Sequence, residues 1–362
     1  MRIVIIFTYP VYHGLQPIEE WWRQPDRERF LAAQMVERGC HVEIWAAGDE
    51  AETRHVRSPG KNQNKYNVNV RIFKANKKGK KTKYHYSDSM VEYAEQFSAH
   101  FYILKGVDGG VGTHFLNRFL RKKKRPFAFI LGGKWYSRNV PLADIVFYET
   151  SSQKKKLLSP GLFFWRKAVR EETLIRLPKW VDTKTFCPIE GVSKKWDILV
   201  VSRLIPYYKN FTALGPLSHH FRVAVIGDGP YALRLRSRYP NVEWLGYIPN
   251  HELPVYLNQA YLFMHTSFRD YYPRVIAEAL SCGLPCAAFA DSITPDVLPS
   301  DCGLLVSKHD FLQPIMELLN DKNRLERMSQ KAREHALSTM GKNAFIKSLD
   351  AFFNRLETAA NG

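Results

Sequence analysis

Two pairs of residues carry the most legible chemistry in this chain. Arg203 stands just past the apolar run of DILVVSRLIPYYKN, and Lys209 follows six residues later. Arginine makes planar two-pronged contacts to phosphate, and lysine supplies a point charge. The second pair is acidic. In FRDYYPRVIAEALSCGLP, Asp270 lies in a loop ahead of Pro273, and Glu278 comes eight residues on, in a helix that Gly283 and Pro285 end. An ionised carboxylate offers two oxygens to a pair of hydroxyls, and backbone N–H groups at the helix start favour anions. Glu278 sits in the apolar stretch VIAEAL, so it requires a buried partner or a ligand. The chain contains no Asp-x-Asp pair of the kind that holds a divalent metal. Fixed cations and backbone N–H groups are therefore the expected stabilisers of a departing diphosphate.

A rival reading comes from GDGPYA after FRVAVI, which fits the loose dinucleotide fingerprint at Gly227, Gly229 and Ala232. It lies mid-chain, Pro230 fills a variable position, and no acid ends a following strand at the usual distance. Nicotinamide chemistry is set aside on those grounds. The five cysteines (Cys40, Cys187, Cys282, Cys286, Cys302) are scattered, and no second pair accompanies Cys282 and Cys286 at zinc spacing. They read as buried reduced thiols.

The elements that must position these groups follow a parallel α/β rhythm in each half. Strand-like runs fall at 3–7, 42–46, 101–104, 127–131 and 145–148, then at 197–202, 222–226, 242–245, 261–264 and 285–289. Helical segments separate them, the clearest being Asp26 to Arg38, ended by Gly39. The pattern implies two doubly wound sheets with ligands at the carboxyl ends of their strands. A hinge is expected at Leu177 to Pro188, and Arg203 and Lys209 are expected to point into a cleft between the two halves. Residues 60–86, rich in Lys, Asn and Tyr, read as a long loop or exposed hairpin, and RKKKR at 121–125 as a helix end. The first residues form a buried strand rather than a signal peptide, and no apolar run is long enough to span a bilayer. The expected location is cytoplasmic, with peripheral attachment at the inner face of a membrane as one option.

The net charge is +18, and it is unevenly spread. Residues 1–180 hold 33 Lys+Arg against 17 Asp+Glu, whereas 181–362 hold 20 against 18. Such asymmetry speaks of partners, not of fold.

These pieces occur in the order found in the family-4 glycosyltransferases, and the sequence resembles that family over nearly its whole length, most clearly from 174 to 306. LIRLPKWVDTKTFCP resembles the family's inter-domain segment at Val181, Asp182, Phe186 and Pro188. VSRL with Lys209 resembles its phosphate-binding strand end, VIGDGP its glycine turn, and NVEWLGYIP the segment that contacts the nucleobase. Asp270 and Glu278 match its pair of acids separated by seven residues. The resemblance implies a GT-B fold, in which two Rossmann-like doubly wound domains face a central cleft. The division is 1–178 for a basic acceptor-binding domain, 179–342 for the nucleotide-sugar domain, and 343–362 for a helix crossing back to the first.

The resemblance also implies retaining, metal-independent transfer from a nucleotide-diphosphate sugar, UDP- or GDP-linked, with no further cofactor. Catalytic roles fall to Asp270, Arg203 and Lys209. The donor site comprises Gly14, Arg203, Lys209, Gly227, Tyr247, Ile248, Asp270, Tyr271, Tyr272, Pro273, Arg274 and Glu278. Two departures stand out. The first acid is Asp where the family usually has Glu. Gly132 and Gly133 follow FAFIL where many relatives carry a histidine, which leaves His13, His100 and His114 as candidates on the acceptor side.

The basic first half suggests an anionic acceptor, a lipid or saccharide, or a membrane surface that LFFWRK (162–167) and Trp21–Trp22 would help to engage. Basic loops interleaved with Tyr66, Tyr84 and Tyr86 keep nucleic acid as an alternative acceptor. An epimerase, hydrolase or nucleotide-sugar binding protein on the same scaffold is the alternative of another class.

Overall fold

A computed structural model describes residues 1–13, 27–57, 67–159, 167–206, 209–268, 270 and 272–361. Gly14, Trp21, Trp22, Tyr66, Tyr271 and most of LFFWRK lie outside the described residues. The chain forms two units, Met1–Leu177 with Ser348–Gly362, and Pro178–Lys347.

The first unit is built on an eight-stranded sheet: β1 (Arg2–Phe7), β2 (His41–Gly48), β3 (Glu52–Arg57), β4 (Asn67–Lys74), β5 (Phe101–Lys105), β6 (Phe127–Ile130), β7 (Ile145–Tyr148) and β8 (Leu174–Arg176). The order is β3-β4-β2-β1-β5-β6-β7-β8, and β3, antiparallel to β4, alone breaks the parallel run. In β1, Ile3 to Ile6 have no exposed surface. Such unbroken apolar runs are what a strand covered on both faces requires. The flanking helices are α1 (Arg27–Glu37), α2 (Asp88–Phe97), α3 (Gly110–Phe115, extended by a π-helical turn to Leu120) and α4 (Ser151–Leu158). Thr150 and Gln153 form a capping box at the start of α4. Trp45 is fully buried at the centre of an aromatic core, edge-on to Phe73, Tyr93 and Phe97.

The stretch 60–86 is neither wholly loop nor wholly exposed. Within it β4 is an inner strand whose Val68, Val70 and Ile72 are buried, while polar residues alternate with them. That alternation, diluted by the surrounding Lys and Asn, hides the strand at the level of composition. Beyond it, residues 75–86 form a loop that leaves the carboxyl end of β4, and 60–66 lie outside the described residues.

The second unit has a six-stranded parallel sheet made of β9 (Trp196–Val201), β10 (Val223–Ile226), β11 (Glu243–Gly246), β12 (Ala260–His265), β13 (Cys286–Phe289) and β14 (Gly303–Val306), in the order β11-β10-β9-β12-β13-β14. Successive strands run outward from β9 to β11, and the chain then returns to lay β12 on the other side of β9. The helices are α5 (Leu214–His220), α6 (Ala232–Arg238), α7 (Leu253–Asn258), α8 (Arg274–Ser281), α9 (Leu312–Asn320) and α10 (Lys322–Thr339). Arg333 of α10 donates to the carbonyls of Thr183, Phe186 and Ser281, stitching the first segment of the unit to the end of α8. A last helix, α11 (Lys342–Asn361), carries the chain into the first unit from Ser348 onward. All five cysteines are free thiols. Among the described residues no helix is long and apolar enough to cross a membrane.

Candidate functional site

In an open parallel sheet, ligands gather at the carboxyl ends where strand order reverses. In the second unit that point lies between β9 and β12, and the groups expected to do chemistry are found there. Arg203 leaves the end of β9 and is exposed. The backbone of Lys209 bridges that of Ser267, just past β12, and its ammonium donates to Ser267 Oγ at 2.5 Å. Burial lowers the Lys209 pKa, the Asp270 carboxylate raises it, and the nearby Arg203 guanidinium lowers it further. Arg203 follows the end of β9, Lys209 is bridged to Ser267 just past β12, and Asp270 comes three residues after Ser267, so the three share this end of the sheet. The Asp270 backbone is held by Ser292 Oγ at 3.4 Å.

The turn after β10 follows from sterics. Gly227 and Gly229 have φ of +143° and +151°. A Cβ at Gly227 would lie 1.8 Å from the Ser202 carbonyl oxygen, and one at Gly229 would lie 2.5 Å from that of Leu204. Both glycines let the turn press against the chain leaving β9. Their close approach is to protein backbone, which supplies a physical reason for the fingerprint-like spacing without a dinucleotide.

Behind this group lies α8, with Pro273 as its N-cap. Glu278 is 4% exposed. Burial pushes its pKa above the ordinary carboxylate value, against the opposing pull of a hydrogen bond from Asn250 and the charge of Arg274. Asn250 Nδ2 donates to Glu278 Oε1 at 2.9 Å. Asn250 belongs to the loop after β11 that also carries Tyr247, 74% exposed, and Ile248, which packs on the core. Tyr272 is a correction: the residue is 1% exposed among core residues and its carbonyl accepts from Lys179, so it serves the fold rather than facing a ligand.

Three further residues join this group without having been expected from the sequence. Asn250 is one. Lys179, at the start of the unit, donates its ammonium to the Tyr272 carbonyl and so holds the loop ahead of α8. His265 ends β12, is 3% exposed, and has its pKa pushed down to about 3 by burial and by the charges of Lys209 and Lys179. Its Nε2 has no hydrogen-bond partner among the described residues. The available signal was a histidine closing an otherwise apolar strand, AYLFMH. No group of three or more His, Cys, Asp or Glu among the described residues has the arrangement of a metal site.

In the first unit the corresponding reversal lies between β1 and β5. The three candidate histidines part ways here. His100 is a correction: its Nδ1 accepts from the Arg2 backbone N–H at 3.0 Å, at the amino end of β1 and β5, opposite the end where ligands gather. It immediately precedes β5, and its imidazole satisfies the first backbone donor of β1. His114 lies on α3, 2.9 Å from Asp88 and against the Tyr86 ring, so its imidazole joins two structural elements. His13 does lie beyond the carboxyl end of β1. It stacks on Tyr9 with ring centroids 4.1 Å apart, and its Nδ1 is 2.7 Å from Thr82 Oγ1 of the basic loop. The loop is further fixed by Tyr12 Oη, 2.7 Å from His85 Nδ1. Lys77, Lys78, Lys80, Lys81 and Lys83 thus stand at the site end of the sheet. The 121–125 run follows α3 and its π-helical turn, directly before β6, and so lies at the opposite end.

Comparison with known proteins gives the setting. Residues 185–335 match the family described as Glycosyl transferases group 1. A phosphatidylinositol N-acetylglucosaminyltransferase subunit from Arabidopsis thaliana is 31% identical over 156 residues, 39% of this chain and 34% of that protein. The chain therefore matches about a third of this relative's length. Among solved structures, sucrose-phosphate synthase from Thermosynechococcus elongatus superposes with a TM-score of 0.74 at 16% identity, covering 99% of this chain and 100% of that one. Anabaena Alr3699/HepE in complex with UDP gives 0.64 at 14% identity, with full coverage of both chains. The fold is that of the GT-B glycosyltransferases, two α/β units with largely parallel sheets.

Proposed function

We propose that this protein is a retaining, metal-independent glycosyltransferase that moves a sugar from a nucleotide diphosphate to an anionic lipid or saccharide acceptor. The observation that carries the reading is the placement of Arg203, Lys209 and Asp270 at the strand-order reversal of the second unit, with Lys209 tied to Ser267 past β12 and Glu278 buried in α8. Arg203 and Lys209 neutralise the departing diphosphate. Asp270 lies near the donor sugar, and Glu278, held by Asn250, accepts from the ribose hydroxyls. In this reading Tyr247 and Ile248 flank the base, and Tyr271, Pro273 and Arg274 complete the donor set of this unit. Retention follows a front-side path in which the leaving phosphate takes the acceptor proton. UDP is the favoured carrier because the fold neighbour from Anabaena binds it.

An anionic lipid headgroup is favoured by the name of the Arabidopsis relative and by the lysine loop at the site end of the first unit. Nucleic acid is disfavoured, because the two basic runs stand at opposite ends of the sheet and do not make one continuous track. The test is a panel of UDP-, GDP- and ADP-sugars read by thermal shift, followed by product analysis with radiolabelled sugar and anionic lipid vesicles. Label in the lipid phase supports transfer. Free sugar or an isomerised donor favours the hydrolase or epimerase alternative, and stabilisation by no nucleotide diphosphate sinks the assignment.

A further inference from the structure

We propose that Asp108, clamped between Tyr9 and Lys134, is a hydroxyl-binding residue for the polyhydroxylated part of the acceptor. The inference rests on the transferase reading and specifies the part of the acceptor this site receives. Asp108 lies just past the carboxyl end of β5, beside the end of β1, at the strand-order reversal of the first unit. Tyr9 Oη donates to Asp108 Oδ1 at 2.7 Å and Lys134 Nζ donates to Oδ2 at 2.5 Å. Two donors on different oxygens fix the plane of the carboxylate. An ionised carboxylate accepts at about four positions. Tyr9 and Lys134 are its side-chain donors among the described residues, which leaves capacity for roughly two hydroxyls. The side chain is 24% exposed, so that capacity faces outward.

The surroundings fit a sugar or cyclitol. The His13 ring lies flat on Tyr9 at an interplanar angle of 25°, a two-ring aromatic wall beside the carboxylate. Burial lowers the His13 pKa, against the pull of Asp108, so the wall is uncharged at neutral pH. The mount is rigid: a Cβ at Gly109 would fall 1.9 Å from the Thr8 carbonyl oxygen, so α3 is pressed onto the end of β1. Next to Lys134, by contrast, a Cβ on Gly132 or Gly133 would meet nothing within 4 Å. The fixed carboxylate beside an aromatic wall is a pairing suited to the hydroxyl edge and the C–H face of a ring polyol.

The test uses saturation-transfer NMR on the full chain with methyl α-D-mannopyranoside and myo-inositol as probes, and UDP as an internal reference. Wild-type protein is expected to saturate the polyol protons. Asp108→Asn should reduce that signal at least fivefold and Tyr9→Phe at least threefold, with the UDP signal unchanged in both. Should Asp108→Asn fail to fold, Tyr9→Phe carries the same reading. Unchanged polyol saturation in the folded variants, or none in a wild-type protein that binds UDP, overturns the proposal. Asp108-dependent polyol binding without any UDP binding would leave this site standing and remove the transferase reading instead.

Discussion

The side-chain amide of Asn250 reaches the buried carboxylate of Glu278 at 2.9 Å, tying the loop after β11 to the middle of α8. These residues come from different crossover units of the sheet, and each brings a part of the proposed nucleotide site. The bond also explains how a carboxylate persists inside an apolar helix. One good donor offsets part of its desolvation, and the rest is a standing cost.

That cost has a sign. The folded pKa of Glu278 is raised, so its contribution to stability is fully present below the unfolded carboxylate pKa and is lost as pH rises through the folded value. Glu278→Gln should therefore leave the unliganded protein as stable as wild type or more so at pH 8. The same variant should weaken UDP binding by about 10- to 100-fold, since hydrogen bonds to charged groups contribute about 1.5–3 kcal/mol. Thermal melts with and without UDP check both halves. A destabilised apo protein with normal UDP affinity would contradict the assigned role.

Arg203→Ala should cut turnover at least tenfold. Removing a comparable charge-stabilising donor costs about 2.7–4 kcal/mol of transition-state stabilisation. Steady-state kinetics with saturating donor separate this from simple loss of binding, and near-normal turnover would exclude Arg203 from the diphosphate.

His265 gives the opposite pH signature to Glu278. Its folded pKa is depressed to about 3, so the stability it contributes is present above the unfolded value near 6.5 and is lost as pH falls toward 3. His265→Leu should thus narrow the gap between stabilities measured at pH 5 and pH 8. Urea unfolding at the two pH values is the measurement. An unaltered gap would mean that the imidazole does not stay neutral in the fold.

The lysine loop is tested by charge removal at two positions whose side chains make no described hydrogen bond or ion pair, Lys80 and Lys81. Lys80→Ala with Lys81→Ala should weaken binding to vesicles containing phosphatidylserine by roughly thirtyfold, at about 1 kcal/mol per residue near an anionic surface. Neutral vesicles serve as the control. Equal binding by the double variant would move the anionic contact elsewhere.

Much of the second unit could be read directly from residue order. Its inner strands such as β10 and β13 are buried on both faces and announce themselves as apolar runs, and Gly227, Gly229 and Gly283 punctuate the sheet where the backbone takes positive φ. What stayed hidden depends on contacts between positions far apart in the chain. Asn250 meets Glu278 across 28 residues, Lys179 meets Tyr272 across 93, and Tyr9 meets Asp108 across 99. No local spacing encodes such pairs. The strand β4 was obscured for a different reason, since its buried Val68, Val70 and Ile72 are interleaved with Asn69 and Arg71 in a neighbourhood dominated by lysine. His100 misled because a histidine beside a strand looks the same in sequence at either end of the sheet.

The last helix has a consequence for synthesis. Phe352 of α11 is fully buried against Phe101 and Phe147, ring centroids 5.4 and 5.5 Å away, and Asp350 pairs with Arg38. The first unit is thus discontinuous in the chain, and Phe352 leaves the ribosome only after the whole second unit has emerged. Domains generally fold in order of emergence. Here the second unit is complete before the first can close, and in the nascent first unit Phe101 of β5 and Phe147 of β7 wait without their Phe352 cover.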